Sequence, residues 1–252
     1  MMGSMRLDAL VVERGLAPTR ARARALILAG QVRVDDVVRS KAGTTVSEAA
    51  RLSLIRPDHG YVGRGGVKLA HALDTFGIPM RDRLMLDIGA STGGFTDAAL
   101  ERGARRVAAL DVGRGQIAWR LRQDPRVTVL DGINARYLTA ARLPVELRTV
   151  DVVTIDVSFI SATRILPTVP ALLAADGDVV VLVKPQFEAG RPEIGKRGVV
   201  RDPAVRRRVV DHVATAGGAL GLTRIAETPS PVPGAAGNRE VFLHLRHAPP
   251  SE

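Results

Sequence analysis

Residues 84–97 read Leu-Met-Leu-Asp-Ile-Gly-Ala-Ser-Thr-Gly-Gly-Phe-Thr-Asp, an apolar run that passes into a glycine-rich segment. This pattern predicts a buried strand, a tight loop and a helix, the arrangement with which open parallel sheets bind nucleotide-like cofactors. A dinucleotide motif carries glycine at its first, third and sixth positions, whereas this chain has Gly89, Ser91 and Gly94 there. Asp87, just before the turn, adds a carboxylate that would repel a pyrophosphate and attract a cation. We therefore expect S-adenosylmethionine, which carries a positively charged sulfonium, in place of a nicotinamide dinucleotide.

Apolar segments alternate with helical patterns beyond this stretch, as in a parallel sheet covered on both faces. A helix is predicted over residues 67–76, and the predicted strands, with helices between them, are residues 84–88, 106–111, 127–131, 150–156 and 178–184. Residues 222–228 and 239–245 read as two more strands, joined by a segment rich in proline and glycine. The expected fold class is α/β, a Rossmann-like parallel sheet with a terminal antiparallel hairpin at its edge.

Acidic residues at the ends of successive strands are candidates for the cofactor site, because ligands of open sheets bind outside the carboxyl ends of the strands. Asp111 could accept hydrogen bonds from both ribose hydroxyls, although this residue alone would also suit the ribose of a nicotinamide dinucleotide. Asp131 could accept a hydrogen bond from the adenine amino group or, equally, cap the helix that follows. The predicted cofactor-binding residues are Asp87, Gly89, Ala90, Ser91, Thr92, Gly93, Gly94, Asp111 and Asp131.

Four further charged residues form the candidate catalytic set: Lys68, Asp156, Lys184 and Glu240. Lys184 closes an almost wholly apolar strand and precedes a proline that keeps its backbone extended. Desolvation favours a neutral lysine and nearby carboxylates favour a charged one, so Lys184 could act as a general base only where desolvation or Lys68 offsets those carboxylates. The alternative is two ordinary salt bridges, Lys68 with Glu240 and Asp156 with Lys184.

Residues 5–56 are predicted to be a separate α+β domain, residues 57–64 a linker, and residues 65–248 the larger domain. Two short helices, the second capped by Thr19 and stopped by Gly30, precede strand patterns at residues 31–36 and 51–55. Arginines crowd the first turns of the second helix, where the helix dipole disfavours cations. One basic face that binds RNA phosphates would account for them, and solvated arginines on an exposed helix are the alternative. The predicted RNA-binding residues are Arg6, Arg20, Arg22, Arg24, Arg33 and Lys41.

The whole chain carries a net charge of +10, from 36 Lys and Arg against 26 Asp and Glu, which favours a polyanionic partner. Its aromatic content of 3% disfavours a broad base-stacking platform, so structured RNA suits the composition better. Without cysteine, and with no paired spacing among its five histidines, the sequence requires no metal. Neither a membrane-spanning stretch nor an export signal is apparent, so we expect a cytoplasmic protein.

Several segments together make the chain resemble the TlyA family, also called hemolysin A, over essentially its whole length. The matching segments include Arg6-Leu-Asp, Gly63-Arg-Gly-Gly-Val-Lys-Leu, Asp87-Ile-Gly-Ala-Ser-Thr-Gly-Gly-Phe-Thr-Asp, Asp156-Val-Ser-Phe-Ile-Ser, Val183-Lys-Pro-Gln-Phe-Glu and Gly237-Asn-Arg-Glu. The resemblance implies an RNA-binding domain like that of ribosomal small-subunit protein four, joined to an FtsJ-like, S-adenosylmethionine-dependent methyltransferase of Rossmann-like fold. The family's Lys-Asp-Lys-Glu tetrad falls on Lys68, Asp156, Lys184 and Glu240.

The resemblance implies 2′-O-methylation of cytidine in ribosomal RNA, with ribosomal subunits as partners, and we expect a monomer. Family members that also modify the small subunit tend to carry longer terminal extensions, so we expect a preference for the large subunit. The family's Arg-x-Trp-Val linker appears here as His59-Gly-Tyr-Val, which puts domain coupling through that motif in doubt. Three other classes are kept as alternatives: a membrane-active hemolysin, a non-catalytic ribosome-binding module and a nicotinamide-dependent oxidoreductase. Basic runs at 196–197 and 206–208 would extend the RNA surface or form a solvated face.

Overall fold

The computed structural model describes residues 3–17, 19–55, 60–234 and 237–247. The amino-terminal domain consists of β1 (Ser4–Arg6), α1 (Leu7–Glu13), α2 (Arg20–Leu28), β2 (Val32–Val34), β3 (Val37–Val38), β4 (Thr45–Ser47) and β5 (Leu52–Leu54). Strands β3, β2 and β5 form one antiparallel sheet, and β1 pairs with β4 in another. Both predicted helices and the β2 and β5 strands are confirmed, whereas β1, β3 and β4 were not predicted.

The two helices of this domain pack on each other through the apolar residues that marked them in the sequence. Leu7, Leu10 and Val11 of α1 are fully buried, as is Ile27 of α2. The side chain of Thr19 accepts a hydrogen bond from the N–H of Arg22 at 3.2 Å and thereby caps α2, as predicted. A small core therefore fixes the helix pair against the sheets.

The larger domain follows residues 56–59, which lie outside the described part of the chain and include the first three residues of the predicted linker. Its first elements are α3 (Arg64–Phe76), β6 (Leu84–Ile88), α4 (Gly94–Glu101), β7 (Arg106–Asp111), α5 (Trp119–Arg122) and β8 (Val127–Asp131). The remaining elements are β9 (Val150–Ile155), β10 (Leu173–Val183), α6 (Pro185–Glu188), α7 (Pro203–Gly218), β11 (Leu222–Pro229) and β12 (Val241–His247). The bounds of β6, β7 and β8 are those predicted from the sequence.

One seven-stranded sheet organises this domain in the order β11-β12-β10-β9-β6-β7-β8. Strands β10, β9, β6, β7 and β8 run parallel, while β12 pairs antiparallel with both β10 and β11. The predicted fold class, with its parallel sheet and terminal hairpin at the edge, is confirmed. The chain moves outward from β6 to β8 and then returns to β9 on the other side of β6. Ligands of open sheets bind at this kind of switch point.

Two apolar layers cover the two faces of the sheet. Along β6, Met85 packs with α3 and α4 on one face, whereas Leu86 and Ile88 pack on the other face, where α7 lies. Burial on both faces explains why the strands read as continuous apolar runs. The expectation of helices between all the strands is wrong around β9, because only short 3-10 turns precede and follow it. Helix α3 also begins three residues before its predicted start, since packing overrides the low helix propensity of its glycines.

Candidate active site

The glycine loop joins β6 to α4 and lies against the neighbouring strands. The N–H groups of Gly89 and Ala90 both donate to the carbonyl of Leu110 in β7, at 2.8 and 3.0 Å. Gly89 has φ of +88°, and a Cβ there would lie 2.5 Å from the carbonyl oxygen of Asp156. Only glycine therefore fits at this point, where the loop passes directly over the end of β9.

Asp87 lies beneath this loop, which differs from its predicted place facing a bound cation. Its carboxylate is fully buried and accepts hydrogen bonds from the N–H and hydroxyl of Thr96, at 3.0 and 2.7 Å, and from the hydroxyl of Thr154 at 2.9 Å. Burial raises the pKa of Asp87 to about 7, and the charge of Asp156 adds to this, against the lowering effect of the threonine hydrogen bonds. Asp87 thus holds the loop and α4 in place from inside the fold.

Asp111 stands at the carboxyl end of β7 beside the loop. Its two carboxylate oxygens accept hydrogen bonds from the backbone N–H groups of Ser91 and Gly113, at 2.8 and 2.7 Å. The carboxylate is therefore fixed at the ligand edge, and its remaining lone pairs can accept further hydrogen bonds. The predicted contact of Asp111 with ribose hydroxyls fits this geometry and stays a prediction.

Asp131 ends β8 and also faces the loop that follows β7. Its Oδ2 accepts hydrogen bonds from the N–H of Gly115 at 3.0 Å and from Arg122 at 2.8 Å. The turn after β8 is capped by Asn134, so the helix-cap alternative for Asp131 is wrong. Its contact with adenine stays a prediction.

The four candidate catalytic residues lie in α3, just after β9, just after β10 and just before β12, and they form two ion pairs at the carboxyl edge of the sheet. Lys68 Nζ lies 2.5 Å from Glu240 Oε2, and Lys184 Nζ lies 2.6 Å from Asp156 Oδ1. The antiparallel register that pairs Val183 with Val241 brings the Lys184 and Glu240 positions side by side. The structure thus contains the two salt bridges that were the alternative interpretation of these residues. It also brings the four predicted catalytic residues to the same edge of the sheet.

A cavity of about 150 Å³ opens between this cluster and the glycine loop. Lys68 and Asp156 line one part of it, and Gly89 and Ser91 line another. The amino-terminal domain closes a further side through the end of α2, a contribution that the sequence did not reveal. The additional lining residues are Leu28, Ala29, Gly63, Arg64, Gly65, Ala90, Thr92, Gly94 and Phe95.

Sequence reasoning missed two residues that follow Asp156 directly. The hydroxyl of Ser158 accepts a hydrogen bond from Lys184 Nζ at 3.0 Å. Phe159 has φ of +67°, and its ring, 91% exposed, lies 5.3 Å from that of Phe187. A large apolar residue held in a left-handed conformation is unusual, and such strain clusters at ligand sites. Their position two and three residues after the candidate catalytic carboxylate of Asp156 was the available signal.

The predicted RNA-binding residues divide into two groups. Three of them converge on the buried carboxylate of Asp8, with distances to Arg6, Arg20 and Arg24 of 2.9, 3.2 and 3.0 Å. Hydrogen bonds from Arg6, followed by those from Arg24 and Arg20, hold the pKa of Asp8 well below its usual range. Asp8 also offsets the cost of placing cations at the start of α2, so the fold itself accounts for part of that cost. The three guanidinium groups nevertheless outnumber the single carboxylate, and their side chains are half exposed.

The other three predicted RNA-binding residues lie away from Asp8. Arg33 is exposed on β2, across from Val38 and Ser53, and Lys41 is exposed in the segment before β4. Arg22 lies on α2 and faces the linker, in a second cavity described below. The structure therefore assembles part of the predicted basic face and separates the rest.

The arginines of α7 have a different environment. Arg207 pairs with Asp211 at 2.8 Å and with Glu227 at 2.6 Å, and Arg208 pairs with Glu193 at 2.6 Å. These carboxylates pair with two of the three arginines, and Arg206 donates to the carbonyls of Val200 and Arg201. This favours the solvated-face interpretation of residues 206–208.

The loop geometry fits S-adenosylmethionine. A Cβ at Gly89 would collide with Asp156, and a Cβ at Gly93 would collide with Leu121. Only glycine therefore fits at these two positions of the loop. The fixed carboxylate of Asp111 stands beside the loop, and the carboxylate of Asp156 lines the cavity. Across the described ranges, no group of three or more histidines, aspartates and glutamates is placed to hold a metal ion, and no helix is long and apolar enough to cross a membrane.

Comparisons with known proteins agree with this arrangement. Residues 61–247 match the FtsJ-like methyltransferase family, and residues 5–52 match the S4 domain. The chain is 47% identical over 242 residues to the 16S/23S rRNA (cytidine-2′-O)-methyltransferase TlyA of Mycobacterium tuberculosis, covering 96% of this chain and 89% of that protein. It is 32% identical over 185 residues to the 23S rRNA (cytidine-2′-O)-methyltransferase TlyA of Campylobacter jejuni, covering 73% and 70%.

A solved structure from Streptococcus thermophilus, described as a hemolysin, superposes with a TM-score of 0.75 at 39% identity and covers 98% of this chain and 90% of that one. The sequence matches extend through both domains. The structural match shows that this chain has the same overall fold as that relative. The resemblance inferred from the sequence motifs is confirmed. The chain belongs to the FtsJ-like methyltransferase family, of the TlyA type with an amino-terminal S4 domain.

Proposed function

We propose that this enzyme transfers a methyl group from S-adenosylmethionine to the 2′-hydroxyl of a cytidine in ribosomal RNA. The observation that carries the proposal is a cavity lined by the glycine loop, Lys68 and Asp156, in which Lys68 pairs with Glu240 and Asp156 pairs with Lys184. This cavity lies at the switch point of the sheet, where open α/β folds bind their ligands. The names of both relatives specify methylation at the cytidine 2′-oxygen of ribosomal RNA.

S-adenosylmethionine would supply a methyl group on a positively charged sulfur, open to in-line attack by an oxygen nucleophile. The loop from Gly89 to Gly94 and the carboxylate of Asp111 would hold this cofactor. Lys184 in its neutral form would accept the hydroxyl proton as the 2′-oxygen bonds to the methyl carbon and the methyl–sulfur bond breaks, with S-adenosylhomocysteine as the leaving group. Such general base assistance contributes about 10²- to 10⁴-fold to a rate, and alignment of the reacting atoms contributes much of the rest.

The ion pairs position the two lysines for these tasks. Asp156 and Ser158 hold Lys184 Nζ from two sides, which fixes the direction of its proton-accepting lone pair. Glu240, buried just before β12, pairs with Lys68 at the cavity, where the ammonium group could bind the substrate oxygen or a phosphate. The salt bridges are thus compatible with catalysis, because they orient the groups that act.

The large ribosomal subunit is the proposed first substrate. Modification of 23S rRNA is common to the names of both relatives, whereas 16S rRNA appears in only one of them. The arginines around Asp8 would bind RNA phosphates and position the target nucleotide over the cavity. Ribosomal subunits as partners imply action in the cytoplasm, and the proposed acting form is a monomer.

Transfer of tritiated methyl groups onto separated ribosomal subunits, followed by mapping of the modified nucleotide, tests the proposal. We expect label on the 2′-oxygen of a cytidine of the large subunit. Label on a base, or equal labelling of both purified subunits, would contradict the reaction or the preference respectively.

The role of Lys184 is tested by Lys184→Ala, with Lys196→Ala as the matched control on an exposed turn of the same domain. The first variant should lose at least 100-fold in methyl transfer because the proton acceptor is gone, while its affinity for RNA stays within threefold. The control should retain both properties. Normal turnover of Lys184→Ala would show that another group accepts the proton. Release of dye from liposomes by the wild type without cofactor would instead support a membrane-active protein.

A further inference from the structure

Trp119 is the single tryptophan of the chain, and it is 70% exposed although the chain has few aromatic residues. It begins α5, directly after Ala118, whose N–H donates to the carbonyl of Thr92 at 3.0 Å. Thr92 belongs to the glycine loop, so the backbone that carries the indole is tied to the cofactor site. The indole is therefore an exposed flat surface whose backbone is linked to the loop that borders the catalytic cavity.

The surroundings of Trp119 form a second cavity, of about 270 Å³, between the two domains. Arg22 of α2 lines one side, and Arg120 and the linker residues Gly60 and Tyr61 line the others. Arg120 pairs with the buried Asp97 and donates to the carbonyl of Gly60 at 3.3 Å. The guanidinium of Arg22 has no hydrogen bond or ion pair within the described part of the chain. An aromatic ring beside an unpaired cation is the combination that binds unpaired nucleotides, through stacking on the base and attraction of the phosphate.

This second cavity lies next to the catalytic one. Residues 60–62 line the second cavity, and residues 63–65, which follow without a break, line the first. Three residues of chain span at most about 11 Å, a distance comparable with the spacing of neighbouring nucleotides. Helix α2 borders both cavities, with Arg22 at one and Leu28 at the other. A strand of RNA whose ribose enters the catalytic cavity would pass over Trp119 with an adjacent nucleotide.

We propose that this second cavity binds an unpaired nucleotide of the RNA substrate next to the one that is methylated. Its base stacks on the indole of Trp119, and its phosphate lies beside Arg22. The inference rests on the proposed function for the identity of the substrate. Stacking accepts any base, so the contact contributes affinity and position, and it leaves the choice of sequence to other parts of the interface.

Because Trp119 is the only tryptophan, its fluorescence reports on this site directly. We expect single-stranded octacytidylate to quench the emission of the wild-type protein and to protect it from acrylamide. Inorganic polyphosphate, which neutralises arginines but cannot stack, should leave both signals unchanged. Binding of octacytidylate, measured by filter retention, with unchanged emission and acrylamide access would overturn the proposal.

Substitutions of Trp119 distinguish stacking of a base on an aromatic ring from simple filling of space by an apolar side chain. Trp119→Ala should raise the KM for ribosomal RNA about 10-fold, with kcat within twofold, because the reacting groups are untouched. Trp119→Phe should stay within threefold of the wild type, while Trp119→Leu should behave like Trp119→Ala. Wild-type KM values for the alanine or leucine variant would show that the ring is dispensable, which overturns the proposal.

The two experiments distinguish failure of this inference from failure of the proposed function. Absence of methyl transfer to any ribosomal RNA, with octacytidylate still quenching Trp119, would overturn the function and support the nucleotide site. Normal methyl transfer without quenching would overturn the site alone. The fluorescence measurement uses the wild-type chain, so it decides the question even where a variant fails to fold.

Discussion

Asp8 in the amino-terminal domain and Asp87 in the larger domain are both fully buried carboxylates, and they behave in opposite ways. Asp8 in the amino-terminal domain is surrounded by three arginines, which hold its pKa well below the usual range. Asp87 in the larger domain has hydrogen bonds from Thr96 and Thr154 instead, and burial raises its pKa to about 7. The partners of a buried carboxylate, and not its burial alone, thus decide whether it carries a charge at neutral pH.

This difference matches the different tasks of the two regions. Asp8 organises cations whose outer atoms remain half exposed, so the cluster presents excess positive charge to an anionic partner. Asp87 organises a loop from below with neutral donors, so no cation within the described part of the chain takes part in holding the loop there. The arginines of α7 are a third case, in which carboxylates balance the cations and leave little charge to present.

The largest expected effect concerns Asp87, whose folded-state pKa of about 7 exceeds its ordinary value of 3.8. The folded state keeps the proton through this window while the unfolded state loses it, so the contribution of Asp87 to stability falls as pH rises from about 4 to about 7. The unfolding free energy of the wild type, relative to Asp87→Asn, should therefore decrease by roughly 4 kcal/mol over this range. Urea denaturation of both proteins between pH 4 and pH 8 measures the difference, and parallel curves would contradict it.

The next effect tests whether the cluster around Asp8 binds RNA. The double variant Arg20→Glu with Arg24→Glu should weaken binding to ribosomal RNA on the order of 100-fold, since it removes two phosphate contacts and adds repulsion. The matched control, Arg207→Glu with Arg208→Glu on α7, should change affinity less than threefold. Filter binding at fixed salt compares the two variants, and equal losses would erase the distinction between the two arginine groups.

A smaller effect concerns the stability that the charged Asp8 provides. Its pKa is lowered on folding, so its contribution is present above the ordinary value of 3.8 and is lost as pH falls through the folded-state value. Asp8→Asn should lower the unfolding free energy by about 2 kcal/mol at pH 7, because the charged hydrogen bonds from three arginines are weakened. Asp211→Asn, at a half-exposed partner of Arg207, should cost at most about 1 kcal/mol. Equal costs in thermal denaturation would contradict the contrast between the two sites.

The smallest effect is the salt dependence of RNA binding. Replacing Arg20 by glutamine should reduce the slope of log affinity against log salt concentration by about 1, as expected for one lost phosphate contact. Arg208→Gln should leave the slope unchanged, because Glu193 already neutralises this arginine. A salt titration of both variants sharpens the comparison, since it separates phosphate contact from general loss of affinity.

The sequence predicted the fold well because its signals are local. Continuous apolar runs gave the bounds of β6, β7 and β8, and Thr19 together with Gly30 gave the ends of α2. These local signals failed where the pairing of two strands depends on residues that are far apart in the sequence. Strands β1 and β4 are only three residues each and pair across about forty positions, which no local pattern records.

The candidate site was partly predictable for the same reason. Charged residues that end apolar strands, such as Lys184 and Asp156, are conspicuous in a sequence because they interrupt a buried pattern. The direction of a side chain is not conspicuous, and Asp87 was therefore expected to face the ligand when it lies beneath the loop. The contribution of Leu28 and Ala29 to the cavity was not foreseen, because it depends on how the two domains meet.

The sequence by itself determined the parallel sheet, the glycine loop, the choice of candidate catalytic residues and the excess of positive charge. Each of these follows from residue types and short spacings, which local conformation and hydrophobic burial translate directly into structure. Only the tertiary structure decided which charges balance one another, which carboxylate is ionised and where Trp119 stands relative to the catalytic cavity. Electrostatic energy depends on distance and burial in three dimensions, so residues far apart in the chain, such as Lys68 and Glu240, acquire their roles only when the fold brings them together.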